Sequence, residues 1–431
     1  MKRFTNPVVL EKLSDRDKKH LWHPLTQHKT HPEMLGISKA KGAVLFDEND
    51  KEYIDGIASW YTCMYGHCHP YILEKVRAQM LRLDQVVFSG FTHEPAVKLS
   101  EELIKILPEN QEKLFFSDNG STSTEIGIKM ALQYHFNQGE KRNVLLAFEE
   151  GFHGDTFGSM SVSGLSVYNG PFEDFFISVE RIPVPTEKNI REVLTNLKER
   201  LKQEDIAGFI YEPLVQGAAA MKMHDANGLN QILALLKEDD VLTIADEVMT
   251  GFGKTGKYFA SDHIQTKPDI MCLSKALTAG LVPMGLTTCT EKVYQAFYSD
   301  DISKGLFHGH TYTANPLACA AALSAVELLQ TEGIQDNIQN IIKWHQEFDA
   351  KIKNHTKVAA TRQLGVIYAL DLNVKMERYG NLRDKLFNHF MENGVFLRPL
   401  GNTIYILAPF VTSQEQMEKI YSTIQSALDI V

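Results

Sequence analysis

The chain has 431 residues, 44% hydrophobic, 10% aromatic and 23% charged, which excludes a disordered, collagenous or densely membrane-spanning protein. Its 44 Lys and Arg against 54 Asp and Glu give a formal charge of −10. The basic footprint of a nucleic-acid binder is therefore missing, and small molecules are the expected partners.

The N-terminal twenty residues begin basic but contain a run of only four apolar positions, too short for the core of an export signal. The most apolar later stretch, Leu317 to Leu329, is interrupted by Ser324 and Glu327 and reads as a buried or amphipathic helix rather than a membrane span. A cytoplasmic protein without membrane contact is expected. Cys63, Cys68, Cys272, Cys289 and Cys319 are an odd number in a long chain, which fits reduced buried thiols better than a disulfide framework.

Three regions follow in chain order. Residues 1–70 hold one pairing signal, AVLFDENDKEYIDG, with two apolar stretches around an acidic turn. They are expected to pack on the C-terminal part rather than stand alone. From 71 to 320 the large domain is expected: the runs KLFFS, NVLLAF, IAGFIY, VLTIAD, DIMCLS and GLTTCT alternate with helical patterns, predicting an α/β fold with a mostly parallel sheet flanked by helices. Within it, PTEKNIREVLTNLKERLKQED has the spacing of a surface helix. After Pro316 a long helical run reaches His345, followed by VIYALDL, VFLRP, TIYILAP and a last helix from Ser413 to Leu428. Residues 321–431 thus read as a smaller α+β domain.

Each apolar run of the large domain ends in reactive or polar residues: Ser117 to Ser121, Glu149 to Asp155, Glu212, Asp246-Glu247 and Lys275. Ligands of open α/β sheets lie outside the carboxyl ends of the strands, so these residues are expected to converge. SDNGS, containing Gly120 and Ser121, has the make-up of an anion site at a helix start, and equally of an ordinary N-cap. Asp246 and Lys275, taken singly, each fit a structural ion pair as well as a reactive role. Together they specify more. Pyridoxal phosphate needs an amine, a carboxylate for its ring nitrogen, a phosphate cup and a stacking ring. Lys275, Asp246, Gly120 with Ser121, and Phe152 supply these in turn.

Two other motifs compete. GFGKTGKY, from Gly251 to Tyr258, satisfies Gly-x4-Gly-Lys but has Tyr258 where a P-loop needs Ser or Thr for magnesium. Cys63, His67, Cys68 and His69 are capable of binding metal, yet no second pair follows at a zinc-finger spacing. No metal is expected.

IADEVMTGFGKTGKYFA leading to PDIMCLSKALTAG, together with FFSDNGSTSTEIGIKMA and GFHGDTFGSMS, resembles the class III pyridoxal-phosphate aminotransferases of fold type I, over nearly the whole chain. HLWHPLTQH, IASWYTCMYGHCHP, FSGFTHEPA, FHGHTYTANPLACAAA and FLRPLGNTIYILAP resemble the branch that converts 8-amino-7-oxononanoate to 7,8-diaminononanoate in biotin biosynthesis. That resemblance implies Lys275 and Asp246 as catalytic residues, Trp60, Phe152, Gly309, Arg398 and Tyr405 at the substrate, and Arg398 on the oxo-acid carboxylate. It further implies a homodimer in which Gly309, His310 and Thr311 reach the neighbouring subunit's site, Thr311 donating to the phosphate. S-adenosylmethionine is the donor it suggests. Many members using that donor have tyrosine at the positions of Leu25 and Phe152 and proline at that of His310. Lysine as donor, or an ω-amino-acid or ornithine-type enzyme using 2-oxoglutarate, are the alternatives.

Overall fold

A computed structural model describes residues 11–31, 33–166, 169–374 and 380–431; the apolar run near the N-terminus lies outside these. After a first helix, Leu13–His20, come strands β1 (Ile37–Lys41), β2 (Val44–Asp47) and β3 (Glu52–Asp55). The acidic turn between β2 and β3 closes on Asp47, whose Oδ1 accepts from the backbone N–H groups of Asn49 (2.8 Å) and Lys51 (3.0 Å), as turn aspartates do.

The central sheet follows in β4 (Gln111–Ser117), β5 (Val144–Phe148), β6 (Val179–Ile182) and β7 (Ile206–Tyr211). A short ribbon of β8 (Val215–Gln216) and β9 (Lys222–Met223) comes next, then β10 (Leu242–Asp246), β11 (Ile270–Leu273) and β12 (Gly285–Thr290). The spatial order is β4-β12-β11-β10-β7-β5-β6, with β12 alone antiparallel to its neighbours. All residues of β5, β7, β10, β11 and β12 are buried, which explains why these strands read as continuous apolar runs rather than alternating ones. The edge strand β6 was not legible: its sequence, VERI, carries two charges and is only partly covered.

The C-terminal part adds β13 (Val358–Leu364), β14 (Ile367–Leu372), β15 (Val395–Phe396) and β16 (Thr403–Ile406). β13, β14 and β16 form an antiparallel sheet. β15 instead joins the N-terminal strands, pairing parallel with β3 through Val395↔Ile54 and Phe396↔Asp55. The last helix, Gln414–Ala427, starts at a capping box between Ser413 and Gln416.

The long helical run expected after Pro316 is two helices, Pro316–Leu329 and Glu332–Ile352, meeting at 68°. Thr331 breaks it with an extended backbone, and its hydroxyl donates to the Leu328 carbonyl at 2.7 Å. Among the described residues no single helix is long and apolar enough to cross a membrane. All five cysteines are free; contrary to the expectation of buried thiols, Cys68 is exposed, because it sits in a loop turned outward with a left-handed backbone.

Candidate active site

The carboxyl ends of β4, β5, β7, β10 and β11 deliver their polar residues to one place. Asp246 closes β10 and is almost fully buried. His153 Nδ1 lies 2.7 Å from its Oδ2, and the Val248 N–H donates to its Oδ1 at 3.1 Å. A buried carboxylate is costly without such partners. Lys275 follows β11 with a left-handed backbone, φ 50°. Burial lowers its amine below the ordinary lysine value, while Asp246 and Glu212 pull it upward. Its Nζ stands 5.6 Å above the Tyr61 ring.

Glu212, just past β7, ties two loops together. Its Oε2 accepts from the Phe152 N–H and its Oε1 from the Gly217 N–H, each at 3.0 Å. Burial, offset in part by His153, pushes this carboxyl up to about 7. Phe152, whose backbone Glu212 fixes, leaves its ring 42% exposed, open to a flat ligand rather than packed in the core.

The helix Gly120–Asn137 begins beside this cluster, capped reciprocally by Asn119 and Thr122. Its first N–H groups, at Gly120 and Ser121, have no intrahelical acceptors and create an anion-binding end. Gly154, at φ 131°, passes so close that a Cβ there would come within 2.2 Å of Ser121 Oγ. Only glycine fits, and the Asp155 N–H then donates to the same Oγ at 3.2 Å.

The opposite wall comes from the chain ends. Ala58, Ser59, Trp60 and Tyr61 all have positive φ, forming a left-handed helical turn that costs roughly 1–2 kcal/mol per residue without glycine. Trp60 remains 43% exposed, with the Arg398 guanidinium 4.9 Å from its ring centre. Arg398 has no carboxylate partner among the described residues, so its fork is open to a ligand carboxylate. Tyr61 donates to the buried Tyr405 hydroxyl at 3.1 Å.

Gly309, His310 and Thr311 follow His308, whose Nδ1 lies 3.1 Å from Lys129 Nζ on the helix Gly120–Asn137. Their loop bonds internally, His310 N–H to Thr313 Oγ1 at 3.1 Å, and to Gln85, which donates to the Thr311 carbonyl at 2.8 Å. Leu25 lies near the start of the described chain, half exposed with φ 50°.

His153, Tyr61 and Lys254 were missed by sequence reasoning. His153 had a signal, its place beside Phe152 after β5. Lys254 belongs to the P-loop-like segment but is fully buried, and its amine donates to the Gly251 carbonyl at 2.8 Å. The segment therefore closes on itself, and the helix after it is a single short turn, Ala260–His263. His67, from the Cys/His cluster, bonds Asp55 at 2.8 Å.

The description of class-III aminotransferases matches residues 25–428. The chain is 42% identical, over 95% of itself and 98% of the relative, to the adenosylmethionine-8-amino-7-oxononanoate aminotransferase of Synechococcus elongatus. It is 33% identical to the Staphylococcus aureus protein of the same name, over 97% of each. The crystal structure of the Methanocaldococcus jannaschii protein so named superposes with a TM-score of 0.92 at 30% identity, covering 97% of this chain and 99% of that one. This chain belongs to the class III aminotransferase family. It is an aminotransferase, an enzyme that moves an amino group from a donor to a carbonyl acceptor.

Proposed function

We propose that this aminotransferase uses pyridoxal 5'-phosphate to convert 8-amino-7-oxononanoate to 7,8-diaminononanoate in biotin biosynthesis, with S-adenosylmethionine as amino donor. The observation that carries it is the pair Asp246 and Lys275, at the ends of adjacent parallel strands β10 and β11, in a chain 42% identical to a relative named for that donor and acceptor.

The residues fit the cofactor. The donor set is a lysine amine lowered by burial, a carboxylate buttressed by His153, an open aromatic face at Phe152 and a helix start crowded so tightly that Gly154 is obligatory. Lys275 would hold the aldehyde carbon, Asp246 the ring nitrogen, and Gly120 and Ser121 the phosphate, with Thr311 from a partner subunit completing the cup. When bound, the cofactor supplies an electron sink for the carbon that loses or gains a proton.

The chain's own groups do the rest. Lys275 Nζ, freed by the donor amine, takes the proton from the donor α-carbon and later delivers one to C7 of the oxo-acid. Burial lowers its basicity, which eases the return of the proton it has taken. Asp246 keeps a proton on the ring nitrogen, with His153 holding the carboxylate in place. Arg398 grips the oxo-acid carboxylate through its fork, Trp60 and Tyr405 wall the chain of methylenes, and Gly309 and His310 close the far side from the second subunit. A homodimer fits the exposure of Phe307 and Tyr312 flanking that loop, and five free thiols fit a reducing cytoplasm.

The test is a single half-reaction on the purified holoenzyme, adding S-adenosylmethionine or lysine separately and following the cofactor absorbance from aldehyde to amine form. Conversion by S-adenosylmethionine supports the reading. Conversion by lysine alone overturns the donor and makes Leu25, Phe152 and His310 the marks of a different donor pocket.

A further inference from the structure

The left-handed turn Ala58–Tyr61 is held at three points by one buried side chain. Asp55, fully buried at the end of β3, accepts from the Ile57 N–H at 3.3 Å just before the turn. Its Oδ2 accepts from the Ser59 hydroxyl at 2.8 Å, inside the turn. The same oxygen lies 2.8 Å from His67 Nε2, after the turn.

His67 is anchored in its own right. Its backbone exchanges hydrogen bonds with Gly42, His67 N–H to the Gly42 carbonyl at 2.7 Å and Gly42 N–H to the His67 carbonyl at 3.1 Å. Its imidazole is opposed by burial, but the bonds to Asp55 and the Cys63 thiol outweigh that and raise it to about 10. Asp55 therefore faces a cation, and the pair is satisfied away from solvent.

The turn earns no help from glycine, yet it must present two rings in opposite surroundings: Trp60 outward beneath Arg398 and Tyr61 inward between Lys275 and Tyr405. Left to its own preferences, such a segment relaxes toward the right-handed region and rotates both rings. Internally it is closed by Tyr61 N–H to Ile57 O and Thr62 N–H to Ala58 O, both 2.9 Å, by Cys63 N–H to Ala58 O at 3.0 Å and by the Thr62 hydroxyl to Ser59 O at 3.0 Å, none of which fixes the turn against β3.

We propose that Asp55 and His67 are positioning residues for the amino acceptor: their buried ion pair, with Ser59, locks the left-handed turn so that Trp60 stacks where the oxo-acid chain lies. The inference rests on the proposed reading for the identity of the acceptor. It acts through Trp60 and Tyr61 and touches neither substrate nor cofactor. Because Trp60 and Arg398 lie against each other, a turn that slips also disturbs the carboxylate fork.

Three variants of the holoenzyme test it: His67→Leu, which leaves Asp55 without a cation, His67→Gln, which restores an N–H donor, and Ser59→Ala. His67→Leu is expected to raise the KM for 8-amino-7-oxononanoate at least tenfold while the donor half-reaction rate stays within twofold. His67→Gln should recover most of that loss, and Ser59→Ala should give a smaller rise in the same KM. In parallel, amide hydrogen exchange at Tyr61 and Thr62 should accelerate more than tenfold in His67→Leu. Equal losses in both half-reactions, or unchanged KM and unchanged exchange, overturn the assignment. If wild-type enzyme fails to aminate the oxo-acid, the functional reading falls instead, and the exchange rates at Tyr61 and Thr62 still decide whether the pair holds the turn. Should His67→Leu not fold, Ser59→Ala and His67→Gln carry the same comparison.

Discussion

The two walls of the site are built by different means. The cofactor-side wall comes from one continuous stretch, residues 111–290, whose central strands are wholly buried and place Asp246, Lys275 and Glu212 at adjacent strand tips. The substrate-side wall comes from the chain ends, Trp60 and Tyr61 after β3, and Arg398 and Tyr405 around β15 and β16. These ends meet through β3–β15 pairing and a strained turn. In the proposed function, the chemistry falls to the rigid sheet and recognition of the acceptor to segments whose geometry depends on long-range contacts.

Substitutions on each wall should separate these roles. The largest effect belongs to Lys275→Ala, which should lower turnover by roughly 10⁴-fold or more while circular dichroism stays native; normal turnover would remove the sheet wall from the chemistry. Asp246→Asn should reduce the rate by on the order of 10³-fold with the fold intact, and an unchanged rate would show that the ring nitrogen has another partner.

The chain-end wall has its own acid sensitivity. His345 accepts from Tyr421 at 2.9 Å and bonds the Val366 carbonyl at 3.1 Å, and burial lowers it from 6.5 to about 4. The unfolded chain then binds the extra proton first, so stability should be full above pH 6.5 and lost as pH falls toward 4. The loss should be about 3 kcal/mol from this residue. Urea melts of wild type and His345→Phe across that window measure it, and parallel curves would refute the assignment. The smallest effect is on recognition. Arg398→Ala should raise the KM for the oxo-acid about 30-fold, roughly 2 kcal/mol of charged hydrogen bonding, and leave the donor nearly untouched. Equal effects on both substrates would erase the distinction between the walls.

The same division decides what the sequence revealed. All six apolar runs of the large domain became strands; five of them, all but β4, are buried on both faces and so need the continuous apolar residues that local inspection finds. The positions of Asp246, Lys275 and Phe152 could be read for the same reason: Asp246 ends such a run, and Lys275 and Phe152 follow one within four residues. His153 and Lys254 were not, since a hydrogen bond to Asp246 and a lysine turned inward onto its own loop are facts of tertiary packing. Family resemblance alone raised Trp60 above an ordinary core tryptophan, and nothing local announced four left-handed residues in IASWY. The break at Thr331 and the edge strand β6 were missed because a polar residue inside a helical pattern, and two charges inside a short strand, are tolerated as often as they are decisive.

The pairing of Val395 with Ile54 also orders events during synthesis. At ~5–20 residues per second, the roughly 340 residues between these partners take on the order of 20–70 s to emerge. The strands that carry Asp246 and Lys275 have all emerged before then, so in a nascent chain Trp60 and Tyr61 wait for Arg398 and Tyr405 while those strands are already in place. The arginine side of the proposed acceptor wall is thus the last part of the site the ribosome delivers, and a chain stopped between residue 290 and Val395 would carry Lys275 and Trp60 without Arg398.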